Sequence, residues 1–400
     1  MSAARRDAAP LRILYVSDTG QQLGGAERSL LSLVEQFDLR RYTLHAALGD
    51  EGRFATLLRG AHVDVRVLPL GAVARTRNPL RLLGYAAVFL HGVVRLAWLV
   101  RRLGIHVVHA NKTTAAILAV PAARLGGARS VWHVRNRARR FGRAGRWLVR
   151  RADRLVCVSE SIAQPFRQAV PEARDAMSVI HEGIDPAPYA ARQAGQAVRR
   201  ELGLEPEHRV VGTVGRLTPW KGQDDFLRAA ALVAADHPEA RFLVVGDCVS
   251  SPAERAADEA YRERLHALAG ELGIADRVRF TGYREDVPAV MNALDLFVLP
   301  SHEEPFGIVV LEAMAAGRPI VATEAGGVPE IVRHEREALL APPGEPQALA
   351  AAIARLLADP PLAQGLGRAA QTRVAEEFPL WRPAARIRAI YEELAGGERT

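Results

Sequence analysis

LFVLPSHEEPFGIVVLEAMAAGRPIVAT, residues 296–323, holds two short apolar runs with a helical pattern between them. The runs at 296–299 (LFVL) and 320–323 (IVAT) show no polar alternation, as strands covered on both faces do. Between them, residues 306–316 read as a helix, stopped by Gly317 and Pro319. Strand, helix and strand in that order predict a parallel sheet with a crossover helix.

The same rhythm runs outward in both directions. In the second half, strands are expected at 209–214, 241–245, 278–281, 296–299, 320–323 and 338–340, with helices at 222–236, 254–272, 306–316 and 346–357. In the first half, strands are expected at 12–17, 42–48, 63–68, 106–110, 130–134, 155–159 and 177–180, with helices such as 25–37 and 113–125. A chain of 400 residues exceeds the size at which one core usually splits, so two α/β domains are expected. The apolar strands lapse at 184–208, which reads as a linker between domains 1–183 and 209–380. A final helix over 381–400 carries Ile387, Ile390, Tyr391 and Leu394 at helical spacing.

The composition is globular, 49% hydrophobic and 24% charged, which argues against a disordered chain. Cys157 and Cys248 lie far apart and read as free thiols of a reducing, cytoplasmic compartment. No secretory signal is legible, and the longest apolar stretch, 82–94, is too short for a span of about 20 residues. It reads as a core helix. The net charge of +8 is local: residues 129–154 hold ten Arg and one Asp, +9 in themselves. Arg139, Arg143, Arg146, Arg150 and Arg154 follow one another at steps of four and three, the spacing of one helix face. With Trp147 beside them, they point to an anionic membrane surface or a lipid-linked acceptor on the inner face of the cytoplasmic membrane. A solvated basic face accounts for the same pattern.

Three segments carry chemistry. In 301–319, Glu304 sits in a loop and Glu312 two turns into the helix that follows. The helix start offers unpaired N–H groups to an anion, so a diphosphate at Gly307 and Ile308 would be held by backbone donors. Glu312 has the acceptors for two vicinal ribose hydroxyls. Both acids also read as ordinary helix-start charges. In 212–222, Arg216 and Lys221 flank a turn with Pro219, after the first strand of the second half. They can meet a diphosphate as a fork and a point charge, or simply be solvated. Gly24 and Gly25 follow the first strand and allow close approach to a phosphate or sugar.

Taken together, these segments resemble glycosyltransferase family 4, which has the GT-B fold. Its acidic pair at E-x7-E spacing is matched by Glu304 and Glu312, and its G-R-L-x-x-x-K-G loop by Gly215–Leu217 with Lys221 and Gly222. Gly24-Gly25-Ala26-Glu27, Val108-His109-Ala110-Asn111, Phe280-Thr281-Gly282-Tyr283 with Asp286, and Phe378 with Trp381 are similar to further family segments. Glu182, where the family often has Asn, and Cys248, where a second Gly is usual, depart from the pattern.

The resemblance implies two Rossmann-like lobes around an interlobe cleft: an acceptor-side domain 1–183, a donor-binding domain 209–380, and a tail crossing back to the first lobe. It implies a retaining transfer from a UDP- or GDP-sugar to a hydroxyl acceptor, a glycan or a lipid-linked one. Arg216 and Lys221 would bind the donor diphosphate. Glu304, with Phe306, Gly307 and Ile308, would lie against the donor sugar and phosphates. Glu312 would hold the ribose, Tyr283 and Arg284 would border the base, and His133 would stand near the transferred sugar. No D-x-D occurs, so no metal or other cofactor is expected. The competing readings are a nucleotide-sugar epimerase or hydrolase of the same fold, a non-catalytic lobe pair, and a basic nucleic-acid-binding protein. The last leaves the 301–319 segment unexplained, so no nucleic-acid partner is expected.

Overall fold

A computed structural model of the chain describes residues 9–21, 23–68, 79–137, 142–248 and 255–397. The chain divides into two compact units, Met1–His181 with Leu380–Thr400, and Glu182–Pro379.

The first unit alternates β1 (Leu11–Ser17), α1 (Gly25–Val34), β2 (Tyr42–Leu48), α2 (Arg53–Gly60), β3 (Asp64–Val67), α3 (Pro79–Leu103), β4 (Val107–Ala110), α4 (Thr113–Gly126), β5 (Arg129–Val134), α5 (Arg143–Arg151), β6 (Arg154–Cys157), α6 (Glu160–Ala169) and β7 (Met177–Val179). Its strands form a parallel sheet in the order β3-β2-β1-β4-β5-β6-β7.

The second unit contains α7 (Arg192–Glu201), β8 (Arg209–Val214), α8 (Gln223–Asp236), β9 (Ala240–Val245), α9 (Arg255–Glu271), β10 (Val278–Gly282), α10 (Val287–Ala293), β11 (Leu296–Leu299), α11 (Ile308–Ala315), β12 (Ile320–Thr323), α12 (Val328–Ile331), β13 (Leu339–Ala341), α13 (Pro346–Ala358) and α14 (Pro360–Glu377). Its parallel order is β10-β9-β8-β11-β12-β13. The last helix, α15 (Trp381–Gly396), belongs to the first unit. Two Rossmann-like parallel sheets are therefore present.

Each core is built by apolar strand runs covered by helices. In the first unit Ile13, Tyr15, Leu44, Val107 and Val131 pack with Leu30 of α1, Phe54 of α2, and Ile387 and Tyr391 of α15. On β5, Trp132 meets Phe166 of α6 edge to face, ring centroids 5.6 Å apart. In the second unit Val211, Phe242, Leu296 and Val321 pack with Phe226 of α8, Leu265 of α9 and Ile353 of α13. Burying one such side chain stabilises by about 1.5–3 kcal/mol, and these alternate with few polar atoms.

Two expectations change. The α3 helix is not wholly core: Val93, Leu96 and Val100 are buried, but Leu90, Val94 and Trp98 face solvent at 61%, 53% and 57% exposure. Its partner α4 covers one side only, closely enough that a Cβ on Gly126 would lie 2.5 Å from Val100. The arginine stripe is also shorter than its spacing suggests. The α5 helix holds Arg143, Arg146 and Arg150, whereas Arg154 opens β6, opposite Val131 of β5. Arg139 lies outside the described residues.

Candidate functional site

In the second unit the chain leaves β8 toward β9 and β10 on one side and returns to β11, β12 and β13 on the other. Loops diverge from the carboxyl ends of strands at such a switch point, and ligands bind there. The two strong sequence motifs are those loops, 215–222 after β8 and 300–307 after β11. They are stitched together, since the His302 N–H donates to the Trp220 carbonyl at 2.9 Å. Gly222 has φ +68°, and a Cβ there would sit 2.1 Å from the Pro300 carbonyl oxygen, so only glycine lets the loops touch.

Their charged ends meet. Lys221 Nζ lies 2.6 Å from Glu304 Oε2, with side chains only 14% and 7% exposed. The Ser301 hydroxyl donates to the same carboxylate oxygen at 3.3 Å, and Lys221 Nζ stands 4.6 Å from the Trp220 ring centre. The backbone of Glu304 is equally constrained. Gly327 N–H donates to its carbonyl at 2.9 Å, and Gly326, at φ +57°, passes so close that a Cβ would lie 2.0 Å from that oxygen.

Helix α11 starts at Ile308, with Gly307 as its cap, two residues later than the sequence suggests. The Ile308 amide therefore has no acceptor within the helix and opens beside Glu304. Phe306 is buried, its ring 6.3 Å from that of Phe378. Glu312 is half-buried in the second turn. Arg216 is exposed, while its carbonyl accepts from the Gln223 side chain at 2.9 Å. Tyr283 is exposed. Arg284 is held by Glu201 and Asp286 at 2.6 and 2.7 Å, pairs that raise its pKa and fix the turn after β10. One group of metal-ligand side chains gathers among the described residues, Asp224, Asp225 and His302. Its carboxylates already pair with Arg228 at 3.0 and 3.5 Å.

In the first unit the switch point falls between β1 and β4. Gly24 caps α1 there and donates its N–H to Glu27 at 3.1 Å, with Gly25 the first helical residue. Glu27 is buried and paired with Lys112. Two strands along, His133 is buried at the end of β5 in a polar chain that sequence reading did not assemble. His109 Nδ1 faces the Tyr391 hydroxyl, His109 Nε2 lies 3.2 Å from His133 Nδ1, and Arg135 Nη2 lies 3.3 Å from the same nitrogen. Arg135 Nε donates to Asn111 at 3.2 Å, and Asn111 donates to the Ala26 carbonyl at 3.1 Å, in the first turn of α1.

Donor chemistry resolves this chain into one arrangement. A guanidinium only donates, so His133 Nδ1 accepts. His109 Nε2 must then carry its proton, and His109 Nδ1 accepts from Tyr391. Both rings stay neutral: burial, aided by the Arg135 charge, pushes the His109 pKa down to about 3 and that of His133 well below its ordinary value. A neutral His133 with a bare Nδ1 carries its proton on Nε2. The strand-end segments around His109 and His133 were visible in sequence. Tyr391, 282 residues from His109, had no local signal.

The basic helix α5 exposes Arg143, Arg146, Trp147 and Arg150, the last pairing with Glu172 at 2.5 Å. It packs against α4, as α3 does, so the exposed faces of α3 and α5 belong to one helix layer. No helix among the described residues is long and apolar enough to cross a membrane.

Residues 23–188 match the family model "Glycosyltransferase Family 4", and residues 196–373 match "Glycosyl transferases group 1". A D-inositol 3-phosphate glycosyltransferase of Thermobispora bispora is 36% identical over 60% of this chain and 56% of its own length. A 2-deoxystreptamine glucosyltransferase of Streptomyces kanamyceticus is 33% identical over 64% of each chain. These matches span less than two thirds of either relative. Among solved structures, HepE of Anabaena in complex with UDP and glucose is 28% identical, covers 96% of this chain and 99% of its own, and superposes with a TM-score of 0.80.

Proposed function

The chain belongs to glycosyltransferase family 4, and on that premise we propose that it moves a sugar from a nucleotide-sugar donor, of the UDP- or GDP-sugar class, to a hydroxyl acceptor. The observation that carries this reading is the buried Lys221–Glu304 pair beside the open amide of Ile308. A cation, a carboxylate and a helix start at the carboxyl end of a parallel sheet are the parts needed to hold a diphosphate and the adjoining sugar. HepE, crystallised with UDP-glucose, supports a UDP-sugar as the first donor to test.

In this reading Lys221 and Arg216 take the charge that grows on the departing diphosphate, as a metal ion would, so no metal is required. Glu312 holds the ribose, and Gly24 and Gly25 border a substrate phosphate or sugar. Tyr283 and the fixed turn at Arg284 border the base, and His133 Nε2–H donates to a substrate oxygen. Transfer retains configuration. The bond from the anomeric carbon to the phosphate oxygen breaks as the acceptor oxygen bonds from the same face. The acceptor's proton passes to the phosphate oxygen that leaves. Glu304, engaged by Lys221 and Ser301, is poorly placed to be the nucleophile of a two-step route.

A thermal-shift panel tests the donor. At 100 times its dissociation constant a UDP- or GDP-sugar adds about 2.7 kcal/mol, and Glu312→Ala removes that shift. A flat panel across both classes sinks the reading.

The acceptor is a glycan or a lipid-linked hydroxyl reached from an anionic membrane surface at the inner face of the cytoplasmic membrane. Support comes from the helix layer that exposes Leu90, Val94, Trp98 and Trp147 among Arg101, Arg102, Arg146 and Arg150. Apolar side chains rimmed by arginine suit anionic headgroups over an acyl boundary. Vesicles containing anionic lipid should float the protein, and vesicles of neutral lipid should not. Trp98→Ser with Arg146→Ser should cut the bound fraction at least fivefold. Equal flotation of the wild type and the double variant on both lipids rules out this surface.

A further inference from the structure

A second cluster of charge lies at the opposite, amino-terminal edge of the sheet in the second unit. Here a cavity of about 430 Å³ opens between the starts of β8, β11 and β12 and the junction of α13 with α14. That volume falls in the range of small-molecule sites. Its lining includes Arg192, Arg209, Arg318 and Arg368, and the nearest acid is Asp295. Asp295 is already engaged, pairing with Arg199 and accepting from the Val210 N–H at 2.7 Å. Counting the four lining arginines against that one acid leaves a surplus of +3 around the cavity.

Arg318 is the telling member. Its half-buried guanidinium donates to two carbonyls, Ala316 at 3.1 Å and Leu294 at 2.9 Å, and the acid that bears on it, Asp295, is shared with Arg199. Burial first, then the Arg192 charge, press its pKa down; Asp295 opposes this in part and Arg199 adds to it. Arg192, Arg209 and Arg368 are exposed, and the Arg209 charge reaches Glu239, whose pKa it helps to lower. Leu296 and Leu357 supply an apolar wall. A surface helix satisfies its arginines with neighbouring acids or water. Here four line one concave space, where like charges repel one another until an anion enters.

We propose that this cavity binds a phosphate group of a small molecule, in a site separate from the donor loops after β8 and β11. Four guanidiniums present several forked N–H pairs to a tetrahedral oxyanion, the geometry that suits arginine rather than lysine. The apolar wall leaves room for the organic part of a phosphate monoester.

The test is calorimetric titration of the full chain with inorganic phosphate, pyrophosphate and glucose 6-phosphate, in saturating UDP to occupy the donor loops and at matched ionic strength. Wild type is expected to bind at least one of them saturably, with one equivalent. Arg209→Gln and Arg368→Gln are exposed changes that fold normally, and together they should weaken binding roughly tenfold or more. Arg318→Met should weaken it further. A monoester that binds more tightly than inorganic phosphate identifies a phosphorylated metabolite as the ligand. Equal affinities identify free phosphate. The proposal is overturned if no titrant saturates above the salt control, or if the Arg209→Gln, Arg368→Gln protein keeps wild-type affinity.

Discussion

Lys221→Met is expected to lower stability by about 3 kcal/mol and to reduce kcat/KM with the nucleotide-sugar donor by more than 100-fold. The two effects have one source. Glu304 is nearly withdrawn from water, and Lys221 Nζ at 2.6 Å is its charge partner, with the Ser301 hydroxyl the other side-chain donor among the described residues at 3.3 Å. Removing the cation leaves a buried carboxylate with one weak donor, which costs far more than the net worth of the pair. The packing of Lys221 over Trp220 is lost as well. The double change Lys221→Met with Glu304→Gln removes both charges, so it should regain at least half of the lost stability while staying inactive. Urea denaturation of the three proteins, with donor turnover measured alongside, checks this. A single variant within 0.5 kcal/mol of wild type would show that the pair is screened by solvent.

Acid is expected to unfold the first unit well before its carboxylates titrate. His109 has a folded pKa of about 3 against an ordinary 6.5, because it is buried beside the Arg135 charge. The unfolded chain therefore takes up the proton first. Stability is complete above about pH 7 and falls as pH drops from 6.5 toward 3, after which this group adds no further loss. At pH 5 that linkage amounts to roughly 2 kcal/mol for His109. His133, shifted in the same direction by burial, Arg135 and His109, adds to it. Unfolding free energies at pH 7.5, 6 and 5 should slope downward in wild type, and His109→Gln should flatten the slope even if it lowers the absolute values. A profile with the same slope in both proteins rules out His109 as its cause.

The strands were legible because parallel strands covered on both faces are runs of apolar residues, as at Leu296–Leu299 and Ile320–Thr323. Side-chain spacing was less faithful where it concerned charge. Arg150 and Arg154 stand at helical spacing, yet a strand begins at the second, because pairing with β5 outweighs the periodicity of solvated arginines. The apolar run of α3 did not reveal that Leu90, Val94 and Trp98 remain uncovered, since hydrophobicity states what can be buried and not whether a partner arrives.

From sequence alone came two parallel α/β units, and with them the loops after β8 and β11 in which Lys221 and Glu304 reside. Both follow from local pattern, strand ends and glycines whose positions are written in consecutive residues. Only the tertiary structure could decide that these two side chains touch across 83 residues, that Tyr391 reaches His109 across 282, and that arginines from separate elements ring one cavity. Hydrogen bonds and charge pairs between distant segments depend on how packed elements align, and no repeat period in a chain records that alignment.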